Sequence, residues 1–227
     1  MKKILIAAAL IGAVSASSAF AKTEGNYVGI DLLRSSAQVK SNSDASADGS
    51  ASLSRFYSHN KKDTSYGFGV NYKHAFNFDG FFVAPGFSYN FVNNETKAGF
   101  STSNSDLYSQ SVKIKDQISF QTNFGYDVND KFAVYVPVGV SSFGYEIKTL
   151  DFDGSTSVAT KKTGRESSVF YGLGLSYQPV KNWLVSLEYN RFQDLKLRSA
   201  GGATLNKGAI KANAEIEMIK LGVAYKF

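Results

Sequence analysis

The feature that most constrains this chain is a two-residue period in its apolar side chains, repeated along most of its length with no helical repeat between the copies. It is plainest at the end of the sequence, where Ile219, Leu221, Val223, Tyr225 and Phe227 alternate with Lys220, Gly222, Ala224 and Lys226. Stretches 66–72, 81–91, 118–126, 132–140, 169–177 and 183–189 repeat the pattern, and 28–32 repeats it more weakly. A strand sends successive side chains to opposite faces, so each stretch is a strand with one apolar and one polar or small face. Eight of them predict an all-β fold.

The connections alternate strictly between short and long. Segments 77–80, 127–131 and 178–182 are short and carry Gly, Pro, Asn or Asp, the residues that tight turns favour. Segments near 36–64, 93–115, 146–167 and 193–214 are long, are rich in Ser, Thr, Asn, Asp and Lys, and are expected to be loops. This order fits an antiparallel up-and-down meander, with turns and both termini at one end and loops at the other. A closed eight-stranded barrel is the expectation; ten strands remain open if part of 101–116 pairs separately.

Two barrels satisfy that pattern, one with its apolar face inside and one with it outside. Three observations favour apolar-outward. The other face holds Gly67, Gly69, Gly86, Gly125, Gly139, Gly172, Gly174 and Gly222, which relieve crowding in a narrow lumen. Aromatic residues Tyr27, Phe76, Phe81, Tyr126, Phe132, Tyr177, Trp183 and Phe227 gather at the short-turn end. They suit a girdle at a lipid–water boundary, where a ring lies dry and its polar edge wet. Ten residues rising ~3.3 Å each at a ~40° tilt also span about 25 Å, the height of an outer-membrane apolar band. Pro85 and Pro137 fall inside strands, where each removes a ladder donor, and a bulge is expected at either.

The first residues agree with export. Met1-Lys2-Lys3 is basic, 4–14 is apolar, and Ala19-Phe20-Ala21 is a small-x-small cleavage site. Residues 1–21 therefore read as a cleaved signal peptide, leaving 22–227 as the barrel domain. No Cys follows, so lipoprotein acylation is excluded, as are disulfides and thiolate metal sites.

Together, the signal peptide, the amphipathic strands and the closing alternation that ends in Phe227 resemble the small outer-membrane β-barrels of Gram-negative bacteria. The likeness is nearest to the opacity-protein and outer-membrane protein X type, the "porin family" of surface proteins. It implies loops outside the cell, termini in the periplasm and a role as an adhesin or surface antigen. It also implies that Ile219, Leu221, Val223, Tyr225 and Phe227 form the signal read by the barrel-assembly machinery. Unlike the outer-membrane protein A type, no peptidoglycan-binding domain is expected after Phe227.

Few residues point to chemistry. Asp31, Lys73, Glu188, Lys220 and Lys226 lie in the inward phase, and ions in a cramped lumen need partners. Glu188 is expected to pair with Lys220 or Lys73 and, with Asn71, Gln121, Asn123 and Asn190, to plug the barrel; the competing reading is an ion-conducting lumen. Two His, His59 and His74, and abundant Ser and Asp (Ser58, Asp63, Asp106) leave a lipid-modifying hydrolase as a lesser reading. Asp151-Phe152-Asp153-Gly154 lacks calcium-loop spacing and is expected at a hairpin tip. No catalytic residue, cofactor or metal site is expected, and the protein is read as non-enzymatic. With a net charge of +6, Lys61, Lys62, Lys161, Lys162, Arg165, Arg198, Lys207 and Lys211 set toward the long segments suggest contacts with lipopolysaccharide phosphates. The expected partners are outer-membrane lipid, lipopolysaccharide, the assembly machinery and a host or cell-surface protein, and not nucleic acid. A narrow porin-like channel is the alternative function.

Overall fold

A computed structural model describes residues 23–42, 59–101, 107–153, 156–198 and 211–227. The signal segment 1–21, together with Ser58, Asp106, Gly154 and Lys207, lies outside them. The strands are β1 (Gly25–Asn42), β2 (His59–Phe78), β3 (Phe81–Ser101), β4 (Leu107–Asp127), β5 (Phe132–Asp153), β6 (Thr156–Val180), β7 (Trp183–Phe192), β8 (Leu195–Arg198) and β9 (Lys211–Lys226). Neighbours pair antiparallel, and β1 closes on β9 from Tyr27↔Lys226 to Asn42↔Lys211. Both β7 and β8 pair with β9, so they are one stave interrupted at Gln193-Asp194, and the barrel has eight.

The apolar phase faces outward. Ile30, Leu173 and Phe120 are 65%, 60% and 69% exposed, values that make sense only against lipid, where each such side chain is worth ~1.5–3 kcal/mol relative to water. The prolines do not shift the register. Pro85 pairs with Thr122 and Pro137 with Asn123 without a break, and each only interrupts the ladder on its other side. The bulges lie instead at 91–94 of β3, 114–116 of β4 and 177–180 of β6. A proline placed where its missing N–H faces the interrupted side costs no register, so the expectation of a bulge at either is corrected.

A larger correction concerns the four long segments. Most of 93–115 and 146–167 and the described ends of 36–64 are strand, with β1 to β6 running 18 to 25 residues, and 193–214 contributes β8 and the start of β9. Twenty residues at that rise and tilt climb about 50 Å, twice the apolar band. Above the band the apolar phase inverts. On β1 the outward Val28, Ile30 and Leu32 give way to inward Leu33, Ala37 and Val39. On β9 the outward Ile219 is followed, going away from the turns, by inward Met218, Ile216 and Ala214. Lipid outside demands apolar-out; water outside demands apolar-in.

The sheet also divides there. Between β2 and β3 the ladder stops at Phe68↔Phe91, and between β6 and β7 at Phe170↔Phe192. Beyond these pairs stand two four-stranded sheets, β8-β9-β1-β2 and β3-β4-β5-β6, which pack across a shared apolar core including Leu33, Val112, Phe143, Ile147, Phe170, Phe192, Ile216 and Met218. The molecule is a membrane barrel below and a small sandwich above.

Adjacent residues on β6 separate the two faces experimentally. Leu173→Arg places a charge on the lipid face and is expected to cost ~2–4 kcal/mol if mid-bilayer. Gly174→Val is expected to cost ~1–3 kcal/mol for a different reason: a Cβ at Gly174 would lie 2.1 Å from the ring of Tyr135, its ladder partner on β5, which covers it on the lumen side. Urea unfolding of the vesicle-inserted barrel, followed by gel mobility, reads both; an unchanged midpoint for Leu173→Arg would contradict the outward phase.

Candidate functional site

The lumen is layered. Nearest the short turns lie Tyr27, Ala75, Phe82, Ala84, Ala133, Tyr135, Leu184 and Ala224. Tyr27 is fully buried, with Lys73 Nζ 5.5 Å and Lys226 Nζ 5.9 Å from its ring centre, so it belongs to the lumen and not to the girdle. Its odd number puts it in phase with Gly29 and Asp31, which the weak alternation of this strand concealed. Phe76, Phe81, Tyr126, Phe132, Tyr177, Trp183 and Phe227 do lie on the outer face or at its rim. Several meet across strands: Phe81 and Tyr126 at 4.8 Å, Phe132 and Tyr177 at 4.7 Å, Trp183 and Tyr225 at 5.4 Å between ring centres.

Above that layer comes the charge cluster. Asp31, Lys73, Glu188 and Lys220 line one small cavity with Asn71, Gln121 and Asn123. Lys220 Nζ is 3.3 Å from Glu188 Oε1. Asn190 Nδ2 donates to Glu188 Oε1 at 2.6 Å, Gln121 Nε2 to Glu188 Oε2 at 3.4 Å, and Asn71 Nδ2 to Asp31 Oδ2 at 2.9 Å. Two carboxylates face two ammoniums, so the layer is neutral as a whole. Charges taken out of water cost several kcal/mol each unless compensated; Glu188 is paired with Lys220, Asp31 accepts from Asn71, and Lys73 lies beside the Tyr27 ring. A further polar tier follows, in which Asn90 donates to Gln117 at 3.0 Å and Gln117 to Ser141 at 3.0 Å. Directly above, Phe192 packs on Phe143 and Phe170, ring centres 5.1 and 5.0 Å apart. These rings stopper the polar tiers from the long-hairpin side.

The remaining candidates scatter. The backbone of His59 opens β2. His74 Nδ1 lies 2.9 Å from Asn26 Oδ1 and its ring meets Phe76 edge-on, so it is taken up by the wall. Asp153 ends β5 at a hairpin tip. Ile219, Leu221, Val223, Tyr225 and Phe227 form one outward row along β9 and the residue after it. No group of His, Asp and Glu among the described residues is arranged to hold a metal.

Two clusters were missed by sequence reasoning. At the short-turn end, Asp127 accepts from the Thr23 N–H at 3.0 Å, from the Thr23 hydroxyl at 2.5 Å and from Asn77 Nδ2 at 2.8 Å, tying the residues just before β1 to the β4–β5 turn. On the outer face beyond the band, Glu146 of β5 gathers Lys115, Lys148 at 3.3 Å and Lys161 at 3.2 Å. Hydrogen bonding from Lys115 first, then from Lys161 and Lys148, holds its carboxyl down at about 2. Neither grouping has a local signature, because the partners meet only through register.

The family model of the outer membrane protein β-barrel domain matches residues 6–227. The chain belongs to this family. Its members are outer-membrane barrels, which places the protein in the outer membrane of a Gram-negative bacterium. No curated protein matches the chain. Among solved structures it is similar to the outer membrane protein OprG of Pseudomonas aeruginosa, at 16% identity over 90% of this chain and 96% of that one, with a TM-score of 0.52. It also resembles Ail, the attachment invasion locus protein of Yersinia pestis, at 17% identity, 89% and 99% coverage and a TM-score of 0.43. A third is the outer membrane protease OmpT of Escherichia coli, at 11% identity, 93% and 99% coverage and a TM-score of 0.47. At these identities the likeness is one of fold.

Removing one partner of the buried pair is expected to be severe. Lys220→Met strands Glu188 and should cost ~3–5 kcal/mol, while the double variant with Glu188→Gln recovers most of it. Chemical unfolding of the refolded barrel checks both, and additive losses would sink the pairing. For Glu146, the depressed pKa means its contribution to stability is complete above about 4.5 and is lost as pH falls through about 2. A side-chain carboxyl NMR titration midpoint near the ordinary value would contradict the three-lysine clamp.

Proposed function

We propose that this is a non-enzymatic surface protein whose long-hairpin end lies outside the cell, with its termini in the periplasm, and which engages a host or neighbouring-cell protein through the strands that stand beyond the membrane. The observation that carries this reading is the free edge of β6. From Thr156 to Ser168 its described backbone pairs with β5 alone, because the ladder to β7 begins only at Phe170. An unpaired row of N–H and C=O groups is a template on which an extended segment of another chain adds as a strand. Lys161, Lys162 and Arg165 on the same strand discourage indiscriminate pairing and favour a partner of opposite charge.

Shortening the β5–β6 hairpin by removing residues 149–160 is expected to abolish binding of expressing cells to the target surface while leaving the barrel folded. Undiminished binding would refute this use of the edge. The same proposal gives the outward C-terminal row its role as the feature read by the barrel-assembly machinery.

A narrow channel is the second reading, favoured by the charged and amide-lined middle of the lumen. The Phe143, Phe170 and Phe192 stopper argues against it, since an eight-stranded interior only just holds its side chains. Planar bilayers are expected to show no current above background for the natural chain, and a current once all three rings are replaced by Ala. Steady conductance from the natural chain would reverse the ranking.

A further inference from the structure

The two seams of the divided upper storey are closed differently. Where β6 meets the break between β7 and β8, the Ser168 hydroxyl donates to the Gln193 carbonyl at 2.7 Å and the Gln193 N–H donates to the Val169 carbonyl at 2.9 Å. The polar groups at the foot of that seam meet one another. Those between β2 and β3 do not. Beyond Phe68↔Phe91 the inward residues of β2 are Gly67, Ser65 and Asp63, and no ladder joins them to β3. The Phe91 carbonyl is turned against Gly67, where a Cβ would lie 2.0 Å from its oxygen, and Asp63 Oδ2 accepts the Glu95 N–H at 3.0 Å. Between these two contacts Asn94 reaches past β2, its Nδ2 donating at 3.2 Å to the carbonyl of Ser35 on β1. Ser35 is in turn the ladder partner of Ser65.

Register therefore gathers Ser35, Ser65, Asn94 and Asp63 on the inner face at the foot of this seam. Ser35 is 1% exposed and Asn94 2%. Even so, Ser35 Oγ, Ser65 Oγ and Asn94 Oδ1 are buried with no hydrogen-bond partner among the described residues. A buried polar group left unsatisfied costs ~1–3 kcal/mol, and three beside one another call for a common partner. None of the three bonds to another, so what they lack is something held between them. Asp63 supplies a negative charge beside them and forms no ion pair with a lysine or arginine among the described residues.

We propose that Ser35, Ser65, Asn94 and Asp63 form a calcium site that bridges β1, β2 and β3. A donor set made only of oxygen suits a hard cation and not a transition metal. Calcium accepts six to eight oxygens at about 2.3–2.6 Å in adaptable geometry, whereas magnesium demands a near-ideal octahedron and gives up water reluctantly. The Phe91 carbonyl is a further oxygen at the same foot. With one carboxylate and otherwise neutral donors the site is weak, in the range of extracellular calcium modules, ~0.1–1 mM. The same composition explains why no cluster of acidic residues marks it. A bound cation would tie β3 to the β1–β2 edge, as Ser168 and Gln193 tie β6 to the β7–β8 stave. The site requires neither a protein partner nor use of the β6 edge.

The full mature chain, refolded in detergent, is titrated with calcium chloride and followed by backbone amide NMR. Saturable shifts centred on Ser35, Ser65, Asn94 and Glu95 are expected, half-complete at ~0.1–1 mM calcium. Asp63→Asn keeps an oxygen for the Glu95 N–H but removes the charge. It should leave the barrel folded by gel mobility and weaken calcium at least about tenfold, because charge count sets affinity in such sites. Ser35→Ala with Ser65→Ala should weaken it several-fold, and Ser168→Ala at the other seam should not change it. Amide hydrogen exchange along 92–97 should slow with calcium in the natural chain and not in Asp63→Asn. Absence of saturable shifts overturns the site, as do shifts centred elsewhere or an affinity unchanged by Asp63→Asn. The same shifts from sodium or magnesium chloride at equal ionic strength would mean a general salt effect and overturn the calcium assignment.

Discussion

Hydrocarbon offers no hydrogen-bond partner, and the rest of the structure depends on that. A backbone crossing lipid must satisfy every N–H and C=O within itself, and a sheet does so only by closing. Closure of β1 onto β9 removes the edges across the membrane region, and the ladder is held even past Pro85 and Pro137. The requirement lapses where water returns. There the sheet opens at β2–β3 and β6–β7, and free edges are tolerated because water satisfies them. The barrel and the divided sheets above it are two responses of one set of strands to two solvents.

Closure also decides what the lumen holds. Eight staves enclose a space that only just holds side chains, and each storey is filled differently. Tyr135 lies over Gly174 and Phe82 over Gly125, large side chains seated where the neighbouring strand has none. The neutral layer of Asp31, Lys73, Glu188 and Lys220 sits between an apolar floor and an aromatic stopper. Buried ion pairs add little net stability over apolar packing, but losing one member is costly. The layer therefore fixes how the staves stand relative to one another more than it strengthens the barrel.

Much of this was legible in the sequence, and what was not has identifiable causes. The lipid-facing rows of β2 to β7 and β9 read directly, because lipid outside and a tight lumen inside force a strict period. Phase alone left Glu188 with Lys220 or Lys73 as its partner, both inward; register, which sets Glu188 opposite Lys220 on the neighbouring strand, decided for Lys220. Tyr27 was misread because only three apolar residues define the phase of β1, and an aromatic near a turn looks like girdle. The long segments were misread as loops because their outward face is polar and their apolar residues shift to the other parity. Ile219 to Met218 and Leu32 to Leu33 are such shifts. A change of parity looks like the loss of a strand unless a change of solvent is allowed for.

The sequence by itself determined the class of the molecule: its period, the order of short and long connections and its inward glycines leave an apolar-outward closed barrel as the consistent solution. Only the tertiary structure decided where the strands end, where the sheet divides, and that Glu146 draws together lysines from three strands. The reason is physical. Alternation is a local property of each strand, fixed by which solvent its faces meet, whereas register and edge pairing belong to pairs of strands and become visible only once the sheet has closed.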